Sequence, residues 1–321
     1  MAITGSVTGG NFTNPSSVGV TSTVVGAVLS NSTLVNTSKL DLTKVVTNDA
    51  TDGVITLDGA PNGGGVVVTS ATAATVVGGA GTDQLIASND AAGTVITTGT
   101  GSGTVVGGAG GQLLGTAAST GGAYQIFAGS GDDTVIAAAG NNTITSGAGN
   151  NIVAAFGGNN AIVASGTNDT VIAAGGNNVI LATNSGGILA GLGGNNTIVG
   201  SDGDEMFIGN SSSDGSFLVS AGGGNDVIFA GRGTNAMLGG DGKDIFVFSS
   251  VYGGGKSVIG DFKAGTDTLA ISGYAGLTTS SLLNSATNTT NGVVITLSDK
   301  TTILISGVTD KNTLSGSIVI G

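Results

Sequence analysis

The chain has no histidine, no cysteine and no tryptophan in 321 residues. Without His and Cys there is no imidazole base, thiol nucleophile or disulfide, and none of the usual ligands for haem, iron–sulfur clusters or zinc. Proline is almost missing at 2, so the 62 glycines fit neither a collagen repeat nor a Pro-rich linker. Aromatics make up 4%, which leaves small aliphatic side chains to build the core. Charged residues are 9% and mean hydropathy is +0.38, too apolar a balance for ordinary disorder. Positive charge is scarcest, with 8 Lys+Arg against 20 Asp+Glu and a net charge of −12. Nucleic acid and anionic lipid both require basic patches, so neither is an expected partner, whereas divalent cations suit an acidic chain. No apolar run of about 18 residues occurs, so no membrane span is expected. Met1-Ala2-Ile3-Thr4-Gly5 opens without a basic and then apolar leader, so no cleaved signal peptide is expected.

What is present is a repeat. Stepping by nine from Asp133 meets Asn142, Asn151, Asn160, Asp169, Asn178, Gly187, Asn196, Glu205 and Asp214 without an insertion. Two residues further on stand Val135, Ile144, Val153, Ile162, Val171, Ile180, Leu189, Ile198 and Phe207. Two residues before the Asn/Asp column the position is mostly glycine, with Thr167 and Ser185 as exceptions. Each unit therefore reads as a Gly-rich turn and a short strand with one aliphatic residue inward. So short a strand cannot stand alone. Stacked in parallel about 4.8 Å apart, such strands bury the aliphatic column and pair their backbones, giving an all-β parallel β-solenoid. The phase recurs with slips at 78–86, 221–229 and 239–247. Three segments follow: 1–77, a strand-rich N-terminal cap or assembly region; 78–248, the nonapeptide solenoid; and 249–321, a C-terminal β segment of alternating strands. Helix signals are almost absent.

The pattern Gly-Gly-x-Gly-x-Asp-x-aliphatic-x resembles the calcium-binding nonapeptide of RTX proteins, secreted β-roll proteins. The tail Ile259-Gly-Asp-Phe-Lys-Ala-Gly-Thr-Asp-Thr-Leu269 and the closing Ile318-Val-Ile320 are similar to the segment that follows the repeats in members exported by type I secretion. The resemblance covers roughly 78–321 and implies calcium as the bound ion, a secretion signal within 249–321, and passage through the type I apparatus. It also implies a secreted protein, extracellular or on the cell surface. In that family an Asp side chain and turn carbonyls of one coil share an ion with the turn two repeats away. Carried onto this chain, the strongest pair is Asp226 and Asp244, 18 residues apart, with Asp241 in the same turn and Gly222, Gly224, Gly240 and Gly242 shaping the turns. Asp261 and Asp267 come next, and Asp133 and Asp83 lie in good turns. Between 141 and 196 the acidic column is replaced by Asn142, Asn151, Asn160, Asn178 and Asn196. Two readings of that stretch stand: a hydrogen-bonded amide ladder, or calcium sites weakened by neutral ligands.

Strand alternation places Ile136, Val163, Ile172, Leu181, Val199 and Ile208 on the outside. Between Asp133 and Asp202 Asp169 is the one charged residue, and no Lys or Arg occurs between Lys44 and Arg232. Such faces are expected either to pack against other copies or to be covered by the flanking segments. The expected function is a non-enzymatic, calcium-binding structural protein, closest to the surface-layer and matrix members. It would assemble with itself into a homopolymer: an extracellular filament, surface layer or biofilm matrix. The alternative is a calcium-dependent adhesin that presents the solenoid to a cell-surface polysaccharide or other surface. An enzyme is disfavoured, since no Gly-x-Ser-x-Gly occurs and Asp52 and Asp58 sit in turn-like sequence.

Overall fold

The computed structural model describes residues 45–48, 54–56, 65–68, 75–78, 84–88, 93–116, 122–184, 186–209, 214–253 and 255–321. By its contacts the chain divides into two compact units, 1–166 and 167–321. Each is a parallel β-solenoid in which successive strands alternate between two sheets.

In the first unit one sheet runs from Val45–Asn48 through Gly65–Val68, Gln84–Ser88, Gly103–Val106, Tyr124–Phe127 and Thr143–Thr145 to Ala161–Ala164. The other runs from Val54–Thr56 through Thr75–Val77, Val95–Thr97, Leu113–Thr116 and Thr134–Ala137 to Ile152–Ala155. Parallel pairing is already present upstream of the first nonapeptide, with Val45 opposite Gly65 and Gly65 opposite Leu85. The inward columns are Val76, Ile96, Leu114, Val135 and Val153 on one sheet and Ile86, Val105, Ile126, Ile144 and Ile162 on the other, all at most 1% exposed. Small β-branched side chains suit this interior, because each coil leaves room for little more than one aliphatic residue per strand.

The second unit follows the same plan with a wider core. Val171, Leu189, Phe207, Ile228, Phe246 and Leu269 lie in register on successive strands of one sheet. Facing them are Ile180, Ile198, Val219, Met237, Ile259 and Ile305. Phe207, Phe217 and Phe246 are among the largest fully buried side chains of the chain. The alternating strands expected in the tail form, and four of them, Lys256–Ile259, Thr268–Ser272, Thr302–Ser306 and Ile318–Ile320, pair in parallel with preceding strands. One sheet then changes direction: Thr302–Ser306 pairs antiparallel with Gly292–Thr296, and that strand with Thr287–Thr289.

One short helix forms at Thr279–Ser285, in a sequence where helix signals are almost absent. Its cause is local. Thr278 and Ser281 form a reciprocal capping box, with the Ser281 N–H donating to Thr278 Oγ1 at 3.1 Å and the Thr278 N–H to Ser281 Oγ at 3.0 Å. The helix packs Leu282 inward. Among the described residues no helix is long and apolar enough to cross a membrane.

Candidate metal centre

Most of the described solenoid turns carry one buried polar side chain at the Asn/Asp position, and within each unit these stack coil upon coil. In the first unit Asn142 Oδ1 accepts the Tyr124 N–H at 3.0 Å, and Asn160 Oδ1 accepts the Asn142 N–H at 2.9 Å. On the opposite edge Asn151 Oδ1 accepts the Asp133 N–H at 2.9 Å. In the second unit Asn196 Oδ1 accepts the Asn178 N–H at 3.1 Å. So the side-chain carbonyl reaches back one coil. The amide nitrogen does the opposite and donates into its own turn. Asn142 Nδ2 reaches the carbonyls of Ala139 and Gly140 at 3.0 and 3.2 Å, and Asn160 Nδ2 those of Gly157 and Gly158 at 3.1 and 3.4 Å. Asn178 Nδ2 reaches Gly175 at 2.9 Å, and Asn196 Nδ2 reaches Gly193 at 2.6 Å. Neighbouring amides also meet, Asn142 Nδ2 with Asn160 Oδ1 at 3.2 Å and Asn178 Nδ2 with Asn196 Oδ1 at 3.0 Å. Asn142, Asn160 and Asn196 thus each tie two coils together and close their own turn.

The second unit continues the scheme with acids. Glu205, Asp226, Asp244 and Asp267 are buried, between 0% and 3% exposed. Asp226 Oδ1 accepts the Glu205 N–H at 2.8 Å, Asp244 Oδ1 the Asp226 N–H at 3.0 Å, and Asp267 Oδ1 the Asp244 N–H at 3.2 Å. The first carboxylate oxygen therefore does what the Asn carbonyl does. The second does not. Asp226 Oδ2 and Asp244 Oδ2 are buried and have no hydrogen-bond partner. They are the counterparts of the Asn Nδ2 atoms that donate to turn carbonyls elsewhere. An amide brings hydrogens to those carbonyls; a carboxylate brings a negative oxygen. Leaving it there uncompensated is costly. Burial first, then the charges of Glu205 and Asp244, push the Asp226 carboxyl up to about 7. Burial, followed by the charges of Asp267 and Asp261, raises Asp244, and burial raises Glu205.

A cation answers that deficit, and the donors are all oxygens, which suits calcium. Among the described residues no three carboxylates converge on one point, so an ion here draws its remaining ligands from the turns. Gly222, Gly224, Gly240 and Gly242 have φ of 115°, 108°, 91° and 131°. The turns stack so tightly that a Cβ on Gly240 would overlap the Gly222 carbonyl oxygen, and one on Gly242 the Gly224 carbonyl oxygen. Gly239 makes room in its own turn, since a Cβ there would come within 3.0 Å of Asp244 Cβ and overlap the carboxylate. Asp226, Asp244 and the turn carbonyls therefore fit calcium.

Asp261, Asp267 and Asp241 are placed differently from Asp226 and Asp244, whereas buried Asp133 shares their reach to the preceding coil. Asp261 uses both oxygens on backbone, Oδ1 on the Gly239 N–H at 2.9 Å and Oδ2 on the Gly240 N–H at 2.8 Å. Asp267 Oδ2 accepts the Lys263 N–H at 2.7 Å. The Asp241 side chain is 99% exposed and pairs with Lys263 Nζ at 3.4 Å. Asp133 Oδ1 accepts the Gln112 N–H at 2.6 Å. Asp83 lies outside the described residues.

Two contributors escape the nine-residue pattern, and a third, Glu205, stands in it without an assigned role. Gln112 acts as a longer Asn: Oε1 accepts the Thr94 N–H at 2.8 Å and Nε2 donates to the Gly110 carbonyl at 2.8 Å. Glu205 stands one coil beyond Gly187, which has no side chain, and its extra methylene lets Oε1 reach the Gly186 N–H at 3.2 Å. An outer ladder runs one residue before the buried one and in the opposite sense. Asp132 Oδ1 accepts from Asn150 N–H at 2.8 Å and Asn141 Oδ1 from Asn159 N–H at 2.7 Å in the first unit. Asp204 Oδ1 accepts from Asn225 N–H at 2.6 Å and Asn225 Oδ1 from Lys243 N–H at 3.0 Å in the second. The paired Asn-Asn and Asp-Asp dipeptides at 132–133, 141–142, 150–151 and 159–160 are the sequence signal for it.

Substituting Asn151 and Asn160 by Ala leaves the buried N–H groups of Asp133 and Asn142 without these acceptors, at about 1–3 kcal/mol each. The expected result is a lower melting temperature by circular dichroism with an unchanged number of calcium ions by calorimetric titration.

Comparison with known proteins agrees with this geometry. Residues 125–153, 155–184, 181–215 and 218–246 each match the RTX calcium-binding nonapeptide repeat. Comparison with curated proteins finds no match. Among solved structures, the extracellular lipase LipA from Serratia marcescens is similar at a TM-score of 0.24 and 15% identity, over 74% of this chain and 45% of the lipase. The chain thus spans less than half of that lipase.

Proposed function

We propose, from the premise that the chain is an RTX calcium-binding repeat protein of β-roll fold, that it is a secreted structural protein that assembles with copies of itself outside the cell. RTX proteins leave the cell by type I secretion, and the repeats are generally non-catalytic. We assign this chain to the non-catalytic members and its export signal to the C-terminal segment 249–321. Its calcium ligands are assigned first to Asp226 and Asp244 with the turn carbonyls. Assembly would yield a filament, surface layer or matrix.

The observation that carries this reading is the outer surface of the sheets. Ile136, Leu181 and Val199 are 38–39% exposed, and Val163, Ile172 and Ile208 are half-buried. On one sheet of the second unit the outward rows Thr170, Ile188, Met206, Val227, Ile245 and Ile172, Ala190, Ile208, Phe229, Val247 contain no charge. Ala190 is itself buried, at 3%, because it lies between the longer Ile172 and Ile208 on adjacent strands. An apolar groove of about 360 Å³ lined by Leu192, Met206, Ile208, Phe229 and Tyr252 opens on the same unit. Apolar surface gains about 25 cal/mol per Å² on leaving water, so an uncharged face of this kind favours side-to-side packing. Ile318–Ile320 ends its sheet, and a terminal strand can accept another by edge pairing.

The test is light scattering after calcium addition, with circular dichroism as the folding control. Wild type is expected to form large particles. Ile172→Lys with Leu181→Glu is expected to fold in the same way and stay small. A wild type that folds in calcium and remains monomeric at high concentration overturns self-assembly and favours the adhesin reading.

A further inference from the structure

The upper end of the acidic edge carries a cation already. Lys263 leaves the turn above Asp244, and its ammonium donates to the Gly240 carbonyl at 2.6 Å and to Asp241 Oδ1 at 3.4 Å. Gly240 belongs to the same turn as Asp244, so this carbonyl is one of the oxygens a metal in that turn would draw on. The rest of the step from this turn to the next is closed by the chain itself. Asp261 caps the Gly239 and Gly240 N–H groups, and Asp267 bridges the N–H groups of Asp244 and Lys263. Among the described residues no such cation lies below it. Between the turns holding Asp226 and Asp244, the nearest basic residue in sequence is Lys243, whose backbone N–H donates to Asn225 Oδ1.

We propose that Lys263 is a tethered substitute for calcium. Its ammonium serves the turn oxygens of Gly239–Asp244 from above, so the last step of the acidic edge forms without an ion and calcium enters below it. An ammonium is a compact point charge with three donors on a flexible stem, able to meet a carbonyl and a carboxylate together. It is tethered and half-exposed, 46% in its side chain, so it holds the turn from the solvent side. The consequence is an order of folding: the coil sealed by Lys263 gives a formed edge on which the calcium-dependent coils below can stack. This inference rests on the calcium reading of Asp226 and Asp244.

The test compares wild type, Lys263→Met, Lys263→Arg and, as a control, Lys256→Met, whose lysine is exposed on the strand Lys256–Ile259. Met keeps the length of the side chain and removes its charge. In EDTA, Lys263→Met is expected to melt several degrees below wild type, and saturating calcium is expected to remove the difference. Calorimetric titration is expected to count one more calcium per chain in Lys263→Met than in wild type. Lys263→Arg and Lys256→Met are expected to match wild type in both measurements. If the chain is unfolded in EDTA, the comparison is read from calcium-induced folding, where the Lys263→Met midpoint is expected at least twofold higher. Equal stoichiometry in Lys263→Met and wild type, or a melting deficit that calcium does not repair, overturns the proposal and leaves the calcium reading intact. A wild type that takes up no calcium overturns both.

Discussion

Replacing Asp226 and Asp244 together by Asn is expected to give a protein more stable than wild type in EDTA and nearly indifferent to calcium. The Asn turns supply the reason. There the side-chain oxygen accepts the N–H of the preceding coil, as Asp226 and Asp244 already do, while Nδ2 donates to the carbonyls of its own turn. The double variant keeps the first bond and replaces two unpartnered buried oxygens with donors. Relief of an uncompensated buried carboxylate is worth on the order of a few kcal/mol. In a chain of this size that corresponds to a rise of roughly 5 °C or more in EDTA. Calcium, which stabilises by binding the folded state alone, is expected to lose most of its effect, and the number of bound ions is expected to fall. Differential scanning calorimetry with and without calcium checks both. A double variant less stable than wild type in EDTA would show that the second oxygens are satisfied in a way these turns do not reveal.

The stability of the calcium-free protein is expected to fall as pH rises from 5 to 8. Asp226 sits at about 7 in the folded protein against 3.8 for an ordinary aspartate, chiefly through burial and then through Glu205 and Asp244. Between those values the folded protein holds a proton that the unfolded chain has released. Its contribution is fully present below the ordinary carboxylate range and is lost as pH rises through about 7, on the order of a few kcal/mol. The raised Asp244 and Glu205 carboxyls act in the same direction. Calcium reverses the trend, because the ion binds the ionised carboxylate and its affinity grows as the proton leaves. Melting curves in EDTA and in millimolar calcium across this range are expected to diverge with pH. Parallel curves would contradict the assignment, and Asp226→Asn is expected to flatten the EDTA curve.

Much of this architecture is legible in the residues themselves. The nine-residue phase locates the large inward side chains from Val135 to Phe207, and all nine are at most 1% exposed. It does so because the one large aliphatic residue per strand is the sequence signal and also fills most of the coil, with small residues such as Ala137, Ala155 and Ala173 buried two positions on. The 18-residue spacing of Asp226 and Asp244 likewise translates into a direct hydrogen bond. Where the phase slips, legibility falls. The coil between Glu205 and Asp226 spans 21 residues and that between Asp244 and Asp267 spans 23, so a fixed period does not reveal that these four acids form one column. Gln112 hides because a longer side chain meets the N–H of the preceding coil from a different phase. Lys263 hides for another reason: its ammonium acts on Gly240, 23 residues away, and a flexible stem leaves no periodic mark. The helix at Thr279–Ser285 rests on one capping box in a polar stretch, too short to show a hydrophobic period.

The central claim is that calcium acts on the acidic edge of the second unit and that amides serve in its place along the Asn turns. Hydrogen exchange read by mass spectrometry on the full chain, with and without calcium, tests it most directly. Calcium is expected to slow exchange of the backbone N–H groups of residues 200–245 by orders of magnitude while leaving the turns from 139 to 160 and from 175 to 196 nearly unchanged. Protection gained mainly in those Asn turns, or no protection gained anywhere, would contradict it.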